Sequence, residues 1–127
     1  MQIKDVVNEN VITTPPDSTV SRVVDLMLEE DVSSLVVVDQ NDRPVGIVTE
    51  SPLLVAVVDP QLSNDPISLH MQRNFVSIHP DEVLDQVVEK FLLYRVRHFP
   101  VVQDNKLLGI VTRRDLMRAI LGQRTNS

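Results

Sequence analysis

Two stretches of the chain carry the same helical stripe. Val20, Val23, Val24, Met27 and Leu28 fall at i, i+3, i+4, i+7 and i+8, and Leu84, Val87, Val88, Phe91 and Leu92 repeat that spacing. Each set predicts a helix with one apolar face. Asp17-Ser18 and Asp81, each following a proline, stand where N-caps are expected. Behind each helix comes a short β-branched run, residues 35–38 and 99–102, suited to a buried strand. The polar turns Gln40-Asn41-Asp42-Arg43 and Gln103-Asp104-Asn105-Lys106 lead into second strands at 45–48 and 108–111. Closing helices are expected from about 52 to 58 and from 113 to 121.

This doubling extends along most of the chain at an offset of about 64 residues. Pro16-Asp17 returns as Pro80-Asp81, Val37-Val38 as Val101-Val102, and Gly46-Ile47-Val48-Thr49 as Gly109-Ile110-Val111-Thr112, one residue having dropped out of the intervening turn. Leu53 and Ala56 return as Leu116 and Ala119. The unit is strand, helix, strand, strand, helix. Two such small sheets cannot each bury both faces alone, so the expected fold is α/β (α+β), with two β-α-β-β-α repeats packed through their sheets and helices outside. Residues 59–69 are rich in turn formers and read as a linker. The expected division is a first repeat at 1–58, that linker, a second repeat at 70–122 and a tail at 123–127.

Composition narrows the chemistry. Cysteine is absent, which removes disulfides, thiolate metal sites and cysteine catalysis. Three Phe, one Tyr and no Trp leave little for stacking unpaired bases. Residues 1–63 hold three Lys/Arg against eleven Asp/Glu, whereas residues 64–127 hold nine against seven and all three His. That acidic balance disfavours duplex DNA, but a small anion near the second repeat fits it. No apolar run approaches the roughly 20 residues that span a bilayer, and the opening residues lack the blocks of a signal peptide, so a cytoplasmic location and no membrane partner are expected. No His-x₃-His pair, Gly-rich phosphate loop or nucleophile with a base appears. A non-enzymatic role with no metal and no required cofactor follows.

Ser33-Ser34-Leu35-Val36-Val37-Val38-Asp39 with Gly46-Ile47-Val48-Thr49 resembles the signature half of a CBS domain. The stretch from Arg97-His98-Phe99-Pro100 to Thr112-Arg113-Arg114-Asp115 is closer still. The resemblance covers nearly the whole chain and implies a tandem pair, a Bateman module, that commonly associates into a four-domain disc; a homodimer is therefore expected. It also implies two related clefts able to take AMP, ADP, ATP or S-adenosylmethionine. Each draws adenine contacts from one copy and ribose and phosphate contacts from the other copy's Gly-x-x-Thr/Ser-x-x-Asp segment.

By that resemblance the better site joins Asp115, as acceptor for ribose hydroxyls, to adenine contacts at Asn10, Val11, Ile12, Val32, Ser33 and Ser34. Val32 and Ile110 would sandwich the ring, while Thr112, Arg113, Arg114, Arg97 and His98 would meet phosphate. Plainer readings stand beside these. Thr112-x-x-Asp115 has the spacing of a capping box, Val32 and Ile110 suit a core, and Arg97-His98 suits a solvated surface. In the first copy Pro52 replaces the carboxylate, and Ser51-Pro52 predicts a later helix start with Ser51 as cap, so that site is expected to bind weakly or not at all. The function implied is a regulatory module that binds an adenosyl ligand and signals through dimer contacts or an unidentified effector protein. The alternative is a ligand-independent dimerisation or adaptor module.

Overall fold

The computed structural model describes residues 1–126, with side chains described through residue 122. Its elements run β1 (Thr13–Thr14), α1 (Val20–Glu30), β2 (Ser34–Val38), β3 (Pro44–Thr49), α2 (Glu50–Val58), α3 (Leu84–Tyr94), β4 (His98–Gln103), β5 (Lys106–Thr112) and α4 (Arg113–Asn126). Single 3₁₀ turns at Ile3–Asp5 and Ile67–Leu69 precede the two copies.

The stripes fold as expected over most of their length. Val20, Val23 and Met27 are buried in α1, and Leu84, Val87 and Phe91 in α3. Leu28 and Leu92, the last positions of each stripe, are instead 75% exposed. At about 100° per residue, position i+8 has rotated about 80° from position i, away from the buried arc centred between i and i+3. The caps also differ from expectation. Thr19 caps α1, its hydroxyl accepting from the Arg22 N–H at 3.1 Å, and Val83 stands at the α3 N-cap with no side-chain bond. Asp17-Ser18 and Asp81 lie one or two residues too early for the role. Helix α4 runs on past residue 121 to Asn126, through most of the stretch read as a tail; Ser127 lies outside the described residues.

Packing divides the chain into two compact units that do not coincide with the sequence copies. One is continuous, Val11–Phe75; the other joins Met1–Asn10 to the chain from Val76 onward. In the continuous unit β1 runs parallel to β2, with Thr13 opposite Val36, and β2 runs antiparallel to β3. Its core gathers Val20, Val23, Met27, Leu35, Val37, Val48, Leu53, Ala56 and Ile67. Ile67 comes from the stretch read as a linker, yet it is fully buried. Its N–H donates to the Ser18 carbonyl at 2.7 Å, and Gln72 then exchanges both backbone bonds with Ile47 at 2.8 and 2.9 Å.

The split unit repeats this arrangement with the chain's first ten residues. Ile3 is fully buried among Ile78, Leu84, Val87, Phe91, Phe99, Val101, Val111 and Leu116. Its N–H donates to the Glu82 carbonyl at 2.9 Å, and Asn8 exchanges both bonds with Ile110 at 2.9 and 3.0 Å. β4 and β5 form the antiparallel ribbon, and a single parallel bridge from Ile78 to Val101 stands where β1 stands in the other unit. Each copy thus begins with a turn and extended residues that complete the core of the other copy.

That docking explains the two sheet glycines. A Cβ on Gly46 would lie 2.4 Å from the Met71 sulfur, and one on Gly109 would lie 2.3 Å from the Asn8 carbonyl oxygen. The incoming segment passes directly over the strand, and only a residue without a side chain leaves room. The shortened second turn is also accounted for. Asp104 and Asn105 both take left-handed φ values, 53° and 63°, in a two-residue hairpin loop. The first copy uses a longer loop in which the Asp39 carboxylate accepts from the N–H groups of Asn41 and Arg43.

Candidate functional site

β5 ends at Thr112 and α4 begins at Arg113, with no intervening loop. The turn is locked by a reciprocal pair of bonds. The Thr112 N–H donates to Asp115 Oδ2 at 2.9 Å, and the Asp115 N–H donates to Thr112 Oγ1 at 3.0 Å. This is the capping box that the spacing allowed, and it bonds the N–H groups of the cap residue and of the third helical residue. Asp115 keeps 17% of its side chain exposed, and its second oxygen, Oδ1, lies 3.8 Å from Arg118 Nη1. All partners found for this carboxylate therefore lie on its own helix or at the residue preceding it, and Oδ1 has the weaker of them. Arg118, three residues on, is a partner that sequence reading passed over, though the i, i+3 spacing signals it.

Alongside lies the start of β4. His98 pairs with Thr112 across the ribbon, and the Arg113 N–H donates to the Arg97 carbonyl at 3.4 Å. Arg97, His98, Thr112, Arg113, Arg114 and Asp115 are thus brought together at one end of the β4–β5 ribbon, and Ile110 lies two residues earlier on β5, half-buried. Arg97, Arg113 and Arg114 are exposed and His98 is half-buried. Burial, with a smaller contribution from the neighbouring Arg97 charge, lowers the His98 pKa below the ordinary imidazole value. The ring is therefore neutral at neutral pH and offers hydrogen bonding in place of charge.

The residues expected to meet adenine fall differently. Val11 and Ile12 lead into β1, which lies beside β2, so they stand at the same end of that sheet as Ser34. Val32, Ser33 and Ser34 are half-buried, and Val32 and Ile12 pack against the core of the continuous unit. The Val32 N–H is spent on the Met27 carbonyl at 3.0 Å, closing α1. Asn10 is exposed and belongs to the split unit, its N–H donating to its neighbour Asn8 Oδ1 at 3.0 Å.

At the equivalent turn of the first copy, α2 begins at Glu50 with Thr49 at the N-cap and no side-chain bond. The later start expected from Ser51-Pro52 does not occur. Pro52 occupies the third helical position, where a missing N–H costs no intrahelical bond, so the proline fits without shifting the helix. The positions matching Arg97, Arg113, Arg114 and Asp115 hold Ser33, Glu50, Ser51 and Pro52. Among the described residues no group of three His, Asp or Glu side chains is placed to hold a metal ion. Among the described residues no helix is long and apolar enough to cross a membrane.

The CBS-domain family model matches twice, at residues 3–59 and 67–122. The chain belongs to the CBS-domain family and carries a tandem pair. It is 30% identical over 121 residues to an uncharacterized protein of Methanopyrus kandleri, covering 93% of this chain and 62% of that one. Over 115 residues it is 33% identical to the inosine-5'-monophosphate dehydrogenase of Methanocaldococcus jannaschii, covering 90% of this chain but only 22% of the enzyme. The chain thus spans under two thirds of the first of these relatives and under a quarter of the second. Among solved structures it resembles CBSX2 in complex with AMP, with a TM-score of 0.88 and 25% identity over 97% of this chain and 98% of the other. It also resembles the CBS domain pair of protein MJ0100 bound to 5'-methylthioadenosine and S-adenosyl-L-methionine, with a TM-score of 0.82 and 27% identity over the same shares. The mixed α+β fold is that of these CBS pairs.

Proposed function

We propose that this CBS pair is a regulatory module that binds an adenosyl ligand, with the ribose hydroxyls donating to Asp115 Oδ1 and the phosphate end lying toward Arg97, Arg113 and Arg114. The observation that carries this reading is the division of labour at Asp115. Oδ2 holds the helix cap, while Oδ1 lies 3.8 Å from the exposed Arg118 guanidinium and the side chain as a whole stays 17% exposed. A ribose hydroxyl bonded to a carboxylate is worth more than an exposed ion pair of that length. The adenosyl compounds bound by the two related CBS pairs support the choice of ligand class. Occupancy acts as a signal only through different affinity in two arrangements of the module or its partners. A cytoplasmic setting and an effector protein belong to the same proposal.

Titration calorimetry with AMP, ADP, ATP and S-adenosylmethionine tests it. One binding event per chain is expected, weakened at least tenfold in Asp115→Asn, which keeps a cap acceptor but loses the charge. No heat with any of the four, or unchanged affinity in the variant, overturns it.

A second reading is favoured by α2. Leu54, Val55, Val57 and Val58 are 53–82% exposed, so this short helix is apolar on its outer side as well as its inner one. A homodimer through that surface that forms equally with and without nucleotide, measured by sedimentation velocity, would favour a ligand-independent dimerisation or adaptor module.

A further inference from the structure

We propose that residues 1–10 form a detachable strap whose docking beside β5 holds the Thr112–Asp115 turn in its binding form, so that strap docking and ligand occupancy favour each other. The proposal rests on the adenosyl-binding reading above. It supplies the two arrangements, strap docked and strap released, that a signal requires.

The strap is held at two places within the split unit. At one, Ile3 is buried in the core, the Ile3 and Lys4 N–H groups donate to the Glu82 and Pro80 carbonyls at 2.9 Å, and the Leu84 N–H donates to the Met1 carbonyl at 3.2 Å. At the other, Asn8 exchanges both backbone bonds with Ile110. The exposed Lys4–Asp81 pair at 3.6 Å adds little. Everything else in the unit, α3, the β4–β5 ribbon and α4, lies from Val76 onward, so the strap can lift without breaking those elements.

Its second anchor stands two residues before Thr112. Ile110 lies opposite Pro100 on β4, which has no N–H to offer, and both backbone bonds of Ile110 go to Asn8 on the other side. The neighbouring Gly109 is covered by the strap so closely that a Cβ would lie 2.3 Å from the Asn8 oxygen. With the strap released, a glycine and an unpaired residue lead directly into the turn. The capping box is local and survives. What loosens is its placement against β4, where the Arg113 N–H reaches the Arg97 carbonyl at only 3.4 Å. Affinity then falls with the fraction of chains in which the strap is docked, and by reciprocity the ligand raises that fraction.

The first copy supplies the control. Its matching stretch, Ile67 to Gln72, docks in the same way but is tied just ahead, where the Val20 and Ser21 N–H groups donate to the Asp65 and Ser63 carbonyls at 3.0 Å. Residues 1–10 are instead separated from the rest of their unit by the whole of Val11–Phe75.

Residue-resolved hydrogen exchange on the full chain tests the linkage, with and without AMP, ADP, ATP or S-adenosylmethionine at about 100 times Kd. Exchange at the Ile3, Asn8 and Ile110 N–H groups is expected to slow at least tenfold, and by less at Ile47 and Gln72. Slowing at Asn8 and Ile110 no greater than at Ile47 and Gln72 overturns the inference and leaves the adenosyl reading standing. Calorimetry adds a second measurement. Ile3→Ala is expected to weaken binding at least threefold. Because the chain has no cysteine, K4C/D81C introduces its only thiols. In I3A/K4C/D81C, oxidation clamps the strap and should restore affinity, which reduction should remove; affinity that ignores the oxidation state overturns the inference too. Should Ile3→Ala not fold, exchange in the unaltered chain decides alone. No binding of any of the four compounds overturns both readings.

Discussion

The two copies share a backbone plan down to the hydrogen bonds of their entering segments, yet they differ sharply where each closing helix begins. The second copy has a full capping box, three arginines with no ion-pair partner among the described residues, and a carboxylate with one lightly used oxygen. The first has Glu50, Ser51 and Pro52 at the same turn, with no side-chain cap. Buried positions have kept their character across the duplication, Val37 with Val101, Val48 with Val111 and Ile67 with Ile3. Exposed positions at the helix start have not. Packing constrains the former, so divergence at the latter is where two equivalent halves become free to acquire different tasks.

Three experiments would break or sharpen that comparison. The largest effect is expected from Ile3→Ala and Ile67→Ala, each removing a fully buried side chain from an equivalent place. Each should cost about 2–4 kcal/mol in urea denaturation. Hydrogen exchange should then report the loss in the split unit for Ile3→Ala and in the continuous unit for Ile67→Ala; identical exchange maps would contradict the division described here. Next come the glycines. Gly109→Ala forces a Cβ against the Asn8 carbonyl and should cost about 1–3 kcal/mol, whereas Gly46→Ala meets chiefly the end of the flexible Met71 side chain and should cost less. Equal melting temperatures for the two variants would show that the entering segments yield equally. The smallest effect belongs to His98. Its lowered pKa means that the unfolded chain takes up the proton first, so this contribution to stability is complete above about 6.5 and is lost as pH falls from there through the folded value. His98→Ser imports Ser34 from the first copy and should reduce the loss of stability between pH 7.5 and 5.5; an unchanged difference would place the acid sensitivity elsewhere.

Much of this was readable in the residues. The helical stripes, the β-branched runs and the repeat offset led directly to the helices, the ribbons and the CBS resemblance, because periodicity is set by local geometry. The capping box at Thr112 and Asp115 was legible for the same reason. The entering segments were harder to see. Residues 59–69 look like a linker because a 3₁₀ turn uses the same Pro, Ser and Asn residues as a loop, and nothing local marks Ile67 as core. The clue lay in the offset, since Ile67 is the counterpart of Ile3 and Gln72 of Asn8. Pro52 misled because a proline suits several positions of a helix's first turn, and the backbone upstream chose among them. The spent N–H of Val32 and the second bond of Asp115 depend on side-chain rotamers and helix ends, which spacing alone does not determine.

The split unit has a consequence for the order of events during synthesis. Residues 11–75 can collapse as soon as they leave the ribosome, because every strand and helix of that unit is then present. Residues 1–10 must wait, with Ile3 unburied, until the stretch from Val76 onward emerges to receive them. A nascent chain therefore carries residues 1–10 undocked until that stretch is made, a handle for a chaperone and a point at which two growing copies could exchange segments.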